Sequence, residues 1–224
     1  MDYESINIAV DEVALHELMS LGARGVPVVS RGQSFVYAKD LNEVARFTGL
    51  DYHVEPELTA SALVSRLSKV IDTARVLVQQ IPAEYLQDNL PGRDRTYQAL
   101  ANHIFEIASG YLKVAGGADF TGSIATAVPL SERTPVELDA HALAIISDLD
   151  DWWTICTDSR CIRPVETFYG TQSLHAVLER CTWHVTQHVR QIMMVLEMHQ
   201  VVPENPLTPA DLEGLPLPDN VWDG

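Results

Sequence analysis

In the stretch RCTWHVTQHVRQIMMVL, from Arg180 to Leu196, two histidines stand four residues apart, His184 and His188. An α-helix turns about 100° per residue, so both imidazoles project from one face. The apolar stripe of that helix runs through Leu174, Val177, Leu178, Cys181, Val185, Ile192 and Val195. His184 and His188 fall inside it, and Gln191 follows one turn later. A buried imidazole without partners loses its hydrogen bonds to water, and two side by side cannot both be cationic without strong repulsion. A transition metal resolves the conflict, because each neutral ring donates a lone pair to the ion. Two core histidines satisfied by hydrogen bonds resolve it as well, and the spacing alone leaves both readings open.

A third ligand is expected at His103, which sits between Leu100 and Ile107 on the apolar stripe of LANHIFEIASGYL. Packed across from the first pair, it completes a three-histidine site with metal positions left for water or substrate. Glu106, one turn from His103, is a candidate fourth ligand or general base, and Gln191 a candidate neighbour that braces a ligand histidine. His16, His53, His141, His175 and His199 are expected at the surface or in structural roles. Cys181, three residues before His184, is either core packing or a neighbour of the site.

These residues need long helices to position them, and the chain from residue 57 to about 200 supplies four. Leu58, Leu63, Leu67, Val70, Ile71, Ala74 and Leu77 keep helical spacing between Pro56 and Pro82. A second helix carries Leu100, His103, Ile104, Ile107 and Tyr111 and ends in two glycines. The third starts at a Thr cap before Pro135 and runs through Leu138, Ile145, Leu149 and Trp152. The fourth spans about Thr171 to His199. A four-helix bundle is the expected architecture, with Trp152, Trp153 and Trp183 as its walls. The N-terminal residues 1–52 alternate instead: strand SINIAV, a helix capped by Asp11, strands VPVVS and SFVYA around Gly32, and a helix between Asp40 and Gly49. The tail after residue 202 is Pro-rich and is expected to wrap the surface as an extended arm. The fold class is thus α+β overall and mainly α, in three parts: a small α/β unit over 1–52, the bundle with its metal site over 53–202, and the arm over 203–224.

Composition narrows the functions. With 31 acidic against 15 basic residues the formal charge is −16, which repels nucleic acid and anionic lipid alike. No apolar run reaches the roughly 18 residues of a membrane span. The acidic start, MDYESINIAVDEVALHE, lacks the basic and apolar regions of a secretory signal. Three cysteines without a C-x-x-C do not form a disulfide framework, so a reducing cytoplasm is expected.

LANHIFEIASGYL together with HVTQHVRQ resembles the DinB/YfiT-like superfamily of metal-binding four-helix bundles. In that family one histidine comes from the second helix. Two more, four residues apart, come from the fourth and are followed three residues later by Gln. The matching positions are His103, His184, His188 and Gln191. The resemblance implies a divalent metal, commonly zinc or nickel. Many members use it to activate a low-molecular-weight thiol for S-transfer or isomerisation, and others are proposed hydrolases.

The segment GVPVVSRGQSFVYAKDLNEVARFTG resembles the C-terminal half of a glutaredoxin, where a Val-Pro with cis proline precedes a strand, a short hairpin and an Asp-bearing turn. Val26, Pro27 and Asp40 occupy those positions. In glutaredoxins they meet the cysteinyl part and the γ-glutamyl end of glutathione. Asp40 as a plain N-cap and Pro27 as a strand-edge proline are the alternatives. The redox strand and helix are missing, so thiol–disulfide exchange by this unit is excluded. Arg93 and Arg95, just before the second helix, either receive a carboxylate or are simply solvated.

Together these features predict a cytoplasmic, metal- and glutathione-dependent transferase, isomerase or dehalogenase acting on a small electrophile, with a homodimer as a candidate assembly. A metal hydrolase with activated water and Glu106 as base is one rival. A non-enzymatic, stress-related metal- or thiol-binding protein is the other.

Overall fold

The structure is a computed structural model that describes residues 3–8, 10–23, 26–38, 41–52, 57–125 and 132–221. It divides into two units, Met1–Pro56 and Glu57–Gly224.

In the first unit, Asp11 starts helix α1 (Glu12–Ser20), its Oδ1 accepting from the backbone N–H groups of Val13 at 3.0 Å and Ala14 at 2.9 Å. Strands β1 (Val28–Arg31) and β2 (Ser34–Tyr37) pair antiparallel around Gly32, whose φ of +60° is the left-handed conformation a tight hairpin requires. The Val26–Pro27 peptide before β1 is cis. Helix α2 (Leu41–Thr48) follows, and Arg31 Nη2 donates to the Thr48 carbonyl at 3.2 Å, tying strand to helix.

The expected strand over SINIAV does not form among the described residues. Its alternating Ile6, Ile8 and Val10 suit a strand, yet a strand needs an open edge and an apolar cover. Ile6 is 51% and Val10 83% exposed, and among the described residues β1 and β2 pair only with each other. A two-stranded hairpin thus stands among the described residues where three strands were expected.

The second unit is mainly helical. Hydroxyl side chains start each of its long helices by accepting from a backbone N–H in the first turn. Thr59 caps α3 (Ala60–Gln79) and Thr96 caps α4 (Tyr97–Ala115). After a short α5 (Gly122–Ala125), Thr134 and Glu137 form a reciprocal capping box at α6 (Pro135–Ile155), with Pro135 in the first turn. Ser173 caps α7 (Leu174–Met198).

The fourth long helix therefore begins three residues later than Thr171. The preceding chain folds back as β3 (Pro164–Thr167) and β4 (Gly170–Ser173), with Val165 opposite Gln172 and both inward-facing. A period of two over so short a run is hidden beside the strong helical period that follows it.

Helices α3 and α4 each pack against α6 and α7. Their shared core includes Leu67, Ile71, Leu77, Leu100, Ile104, Phe105, Leu138, Leu149, Leu178 and Ile192, all under 2% exposed. Burying each such side chain contributes about 1.5–3 kcal/mol against the entropy of ordering it. No described helix is long and apolar enough to cross a membrane.

The C-terminal segment is not uniformly extended: it contains α8 (Pro209–Leu212) before running along α7. Arg190 donates to the carbonyls of Pro218 at 2.8 Å and Asp219 at 3.0 Å, while Gln187 reaches those of Asn220 and Val221.

Candidate metal centre

The centre is built where α4 faces α7. His103 comes from α4, on the turn between the buried Leu100 and the half-buried Ile107, and His184 and His188 come from α7. Among the described residues these three form a group whose ligand nitrogens all lie within 4.8 Å of one another. The ring centroids are 5.6 Å apart for His103 and His184, 5.1 Å for His103 and His188, and 4.8 Å for His184 and His188.

Electrostatics keep the His103 and His184 rings neutral at physiological pH. Burial pushes the His184 imidazole down to about 2, helped by the nearby His188 and His103 and by the charges of Arg180 and Arg95. Burial, then His188 and Arg95, pushes His103 down to about 3. Neutral rings carry the lone pairs a cation needs. Zinc–nitrogen bonds of about 2.0–2.1 Å in a tetrahedral site place ligand nitrogens roughly 3.4 Å apart. The three histidines could therefore hold an imidazole-preferring divalent ion with at most small inward movement.

Gln191, one turn after His188 on α7, is bonded to it. His188 Nδ1–H donates to Gln191 Oε1 at 2.8 Å, and Gln191 Nε2 donates to the Val221 carbonyl at 3.3 Å. The second bond settles which end of the amide faces His188. With Nδ1 engaged, an ion would be held through Nε2.

Glu106 is occupied elsewhere. Its Oε1 accepts from Arg133 Nη1 at 2.7 Å and lies 4.0 Å from His141 Nε2. Arg133 is itself pinned to α4: its backbone N–H donates to Asn102 Oδ1 at 2.8 Å, and its carbonyl accepts from Asn102 Nδ2 at 3.1 Å. Glu106 thus fastens the segment leading into α6 and is not in the histidine group.

Arg93 and Arg95 occupy an exposed turn around Gly92, where Leu90 and Arg95 are joined through the backbone at 2.9 Å. The charge of Arg95 reaches His103 and His184. Val26 is 52% exposed before β1, in the other unit. Asp40 and His53 lie outside the described residues. His175 Nε2 donates to the Leu58 carbonyl at 3.0 Å, His199 stacks on Tyr85 at 3.9 Å, and His16 is exposed on α1. Cys181 is buried, its thiol directed to the Ile107 carbonyl at 3.8 Å, and burial pushes it well above the usual thiol range.

A cavity of about 30 Å³ adjoins His184, lined by Ile107, Tyr111, Phe120, Ile124, Val177, Arg180 and Cys181. Arg180 and Tyr111 were not singled out as functional from the sequence. The one cue for Arg180 is its position one turn before His184, on the same side of the helix.

No protein-family model matches the chain, and no curated protein matches it. Among solved structures, the chain is similar to a DinB-like protein, YjoA, from Bacillus subtilis, with 12% identity and a TM-score of 0.47 over 65% of this chain and 96% of that one.

Proposed function

We propose that residues 57–200 are a DinB-type four-helix bundle and that the chain is a metal-dependent enzyme acting on a small molecule. His103, His184 and His188 are its metal ligands, and Gln191 orients His188. The observation that carries this reading is the convergence of three imidazoles, one of them held by an amide through its second nitrogen. A bound divalent cation would supply the positive charge that lowers the pKa of a thiol or a water beside it.

A low-molecular-weight thiol such as glutathione is the proposed co-substrate, with S-transfer, isomerisation or dehalogenation of a small electrophile as the reaction class. This follows the resemblance carried by His103, His184, His188 and Gln191. The commitment of Glu106 to Arg133 weighs against the hydrolase alternative, because that route needs Glu106 as a base. Within the proposal the chain's own residues do three things. The histidines hold the ion, Gln191 fixes one ring, and Arg95 and Arg180 add positive charge that favours an anionic partner.

Metal analysis tests the core of it. Purified protein is expected to hold about one equivalent of zinc or nickel after loading and dialysis, and His188→Ala to hold far less. Equal retention by both proteins would refute the site. Calorimetry with glutathione then separates the rivals. Heat that appears only with metal and is lost in His188→Ala supports the thiol reading. Heat that survives His188→Ala but vanishes in Asp40→Ala would move the thiol to the N-terminal unit.

A further inference from the structure

Two residues that line the cavity beside His184, Tyr111 and Arg180, carry polar groups that packing does not explain. The Tyr111 hydroxyl is buried, with Tyr111 only 1% exposed, and no hydrogen-bond partner is present among the described residues. An unmet buried hydroxyl is costly, and a ligand acceptor would relieve it. Arg180, on the same lining, places its guanidinium carbon 5.5 Å from the Tyr169 ring centroid and 5.6 Å from that of Trp183. Two aromatic faces hold that side chain, and no described carboxylate lies within 4.0 Å of it. In a chain with 31 acidic residues and 15 basic ones, such an arginine is conspicuous. A guanidinium presents paired donors that match a planar carboxylate. The strong net negative charge disfavours a ligand with several negative charges, so a monoanion fits best. The remaining walls, Ile107, Phe120 and Val177 among them, are apolar.

We propose that this cavity binds a small monocarboxylate with a short apolar body. The carboxylate sits on Arg180, the body against Ile107, Phe120 and Val177, and an oxygen of the ligand accepts from the Tyr111 hydroxyl. A volume of about 30 Å³ admits only a few non-hydrogen atoms beyond the anchoring group. The ligand's placement beside His184 deepens the metal-enzyme reading and rests on it, whereas binding in the cavity does not.

The test titrates the full-length protein, metal-free and zinc-loaded, with butyrate, butyramide and propylamine, followed by ligand-observed NMR. Butyrate is expected to bind at least tenfold more tightly than butyramide, and propylamine not at all. Arg180→Gln should bring the butyrate-to-butyramide ratio near one. Arg180→Lys should keep a reduced preference, and it stands in if the glutamine variant is unfolded by circular dichroism. Tyr111→Phe should weaken butyrate a few-fold without lowering the melting temperature. Equal binding of butyrate and butyramide, no butyrate binding, or a preference surviving Arg180→Gln overturns the proposal. Zinc uptake is measured alongside. Zinc bound without a butyrate preference refutes the cavity assignment and spares the metal site. A butyrate preference without zinc uptake spares the cavity and refutes the metal site.

Discussion

Metal-free protein should lose stability steeply as the pH falls below neutrality, because two of its half-buried histidines resist protonation. His103 and His184 have ordinary values near 6.5 when unfolded and are held down to about 3 and about 2 when folded. Their folded forms therefore bind fewer protons than the unfolded chain throughout the interval between those values. Stability is at its full value above pH 6.5 and is lost progressively as the pH falls toward 3. Each site contributes about 1.4 kcal/mol per pH unit in that window. Between pH 7.5 and 5.0 each costs about 2 kcal/mol, and the pair about 4 kcal/mol. That figure hardly depends on how far below 4 the folded values lie. It is a large share of the roughly 5–15 kcal/mol that holds a domain together. All four tryptophans lie beyond residue 150, so their fluorescence reports unfolding of the helical unit alone. The assay is urea denaturation followed by that fluorescence, with a chelator, at pH 7.5 and 5.0, for the parent and for His103→Asn/His184→Asn. The parent should lose about 4 kcal/mol more than the double variant across the interval. Parallel losses in the two proteins would show that these histidines are not held neutral by the fold, and the reasoning would fail.

Gln191→Leu removes the acceptor for His188 Nδ1–H and the donor to the Val221 carbonyl, so zinc affinity by chelator competition should fall roughly 10- to 100-fold. Unchanged affinity would remove Gln191 from the site. Asn102→Ala strips three hydrogen bonds from a residue only 1% exposed and should cost about 2–3 kcal/mol in urea titrations at pH 7.5. Leu178→Ala, at a fully buried position in the core between the long helices, should cost about 2–5 kcal/mol by the same measurement.

The parts of this molecule that could be read from its sequence are those governed by local periodicity. The stripe Leu174, Val177, Leu178, Cys181, Val185, Ile192 and Val195 is buried throughout, because a helix with one apolar face has one stable way to lie on a core. The same stripe exposed the oddity of His184 and His188, and the stripe of α4 supplied His103. What stayed hidden depends on chain segments distant in sequence. The pairing of Glu106 with Arg133 requires knowing where the chain before α6 returns, and the contacts of Gln187 and Gln191 require the path of residues 218–221. The SINIAV alternation misled for the complementary reason: local pattern nominates a strand, but a strand exists only where another edge accepts it.

The contact between α7 and the C-terminal segment is unequal in what it demands of its two sides. Gln187, Arg190 and Gln191 supply specific side chains, whereas Pro218, Asp219, Asn220 and Val221 answer with nothing but main-chain carbonyls. Every amino acid, proline included, carries that acceptor. Substitution scanning should therefore find the helix side intolerant and the segment side permissive. Two chains could share this arrangement, including its hold on a histidine of the candidate centre, while their final residues looked unrelated.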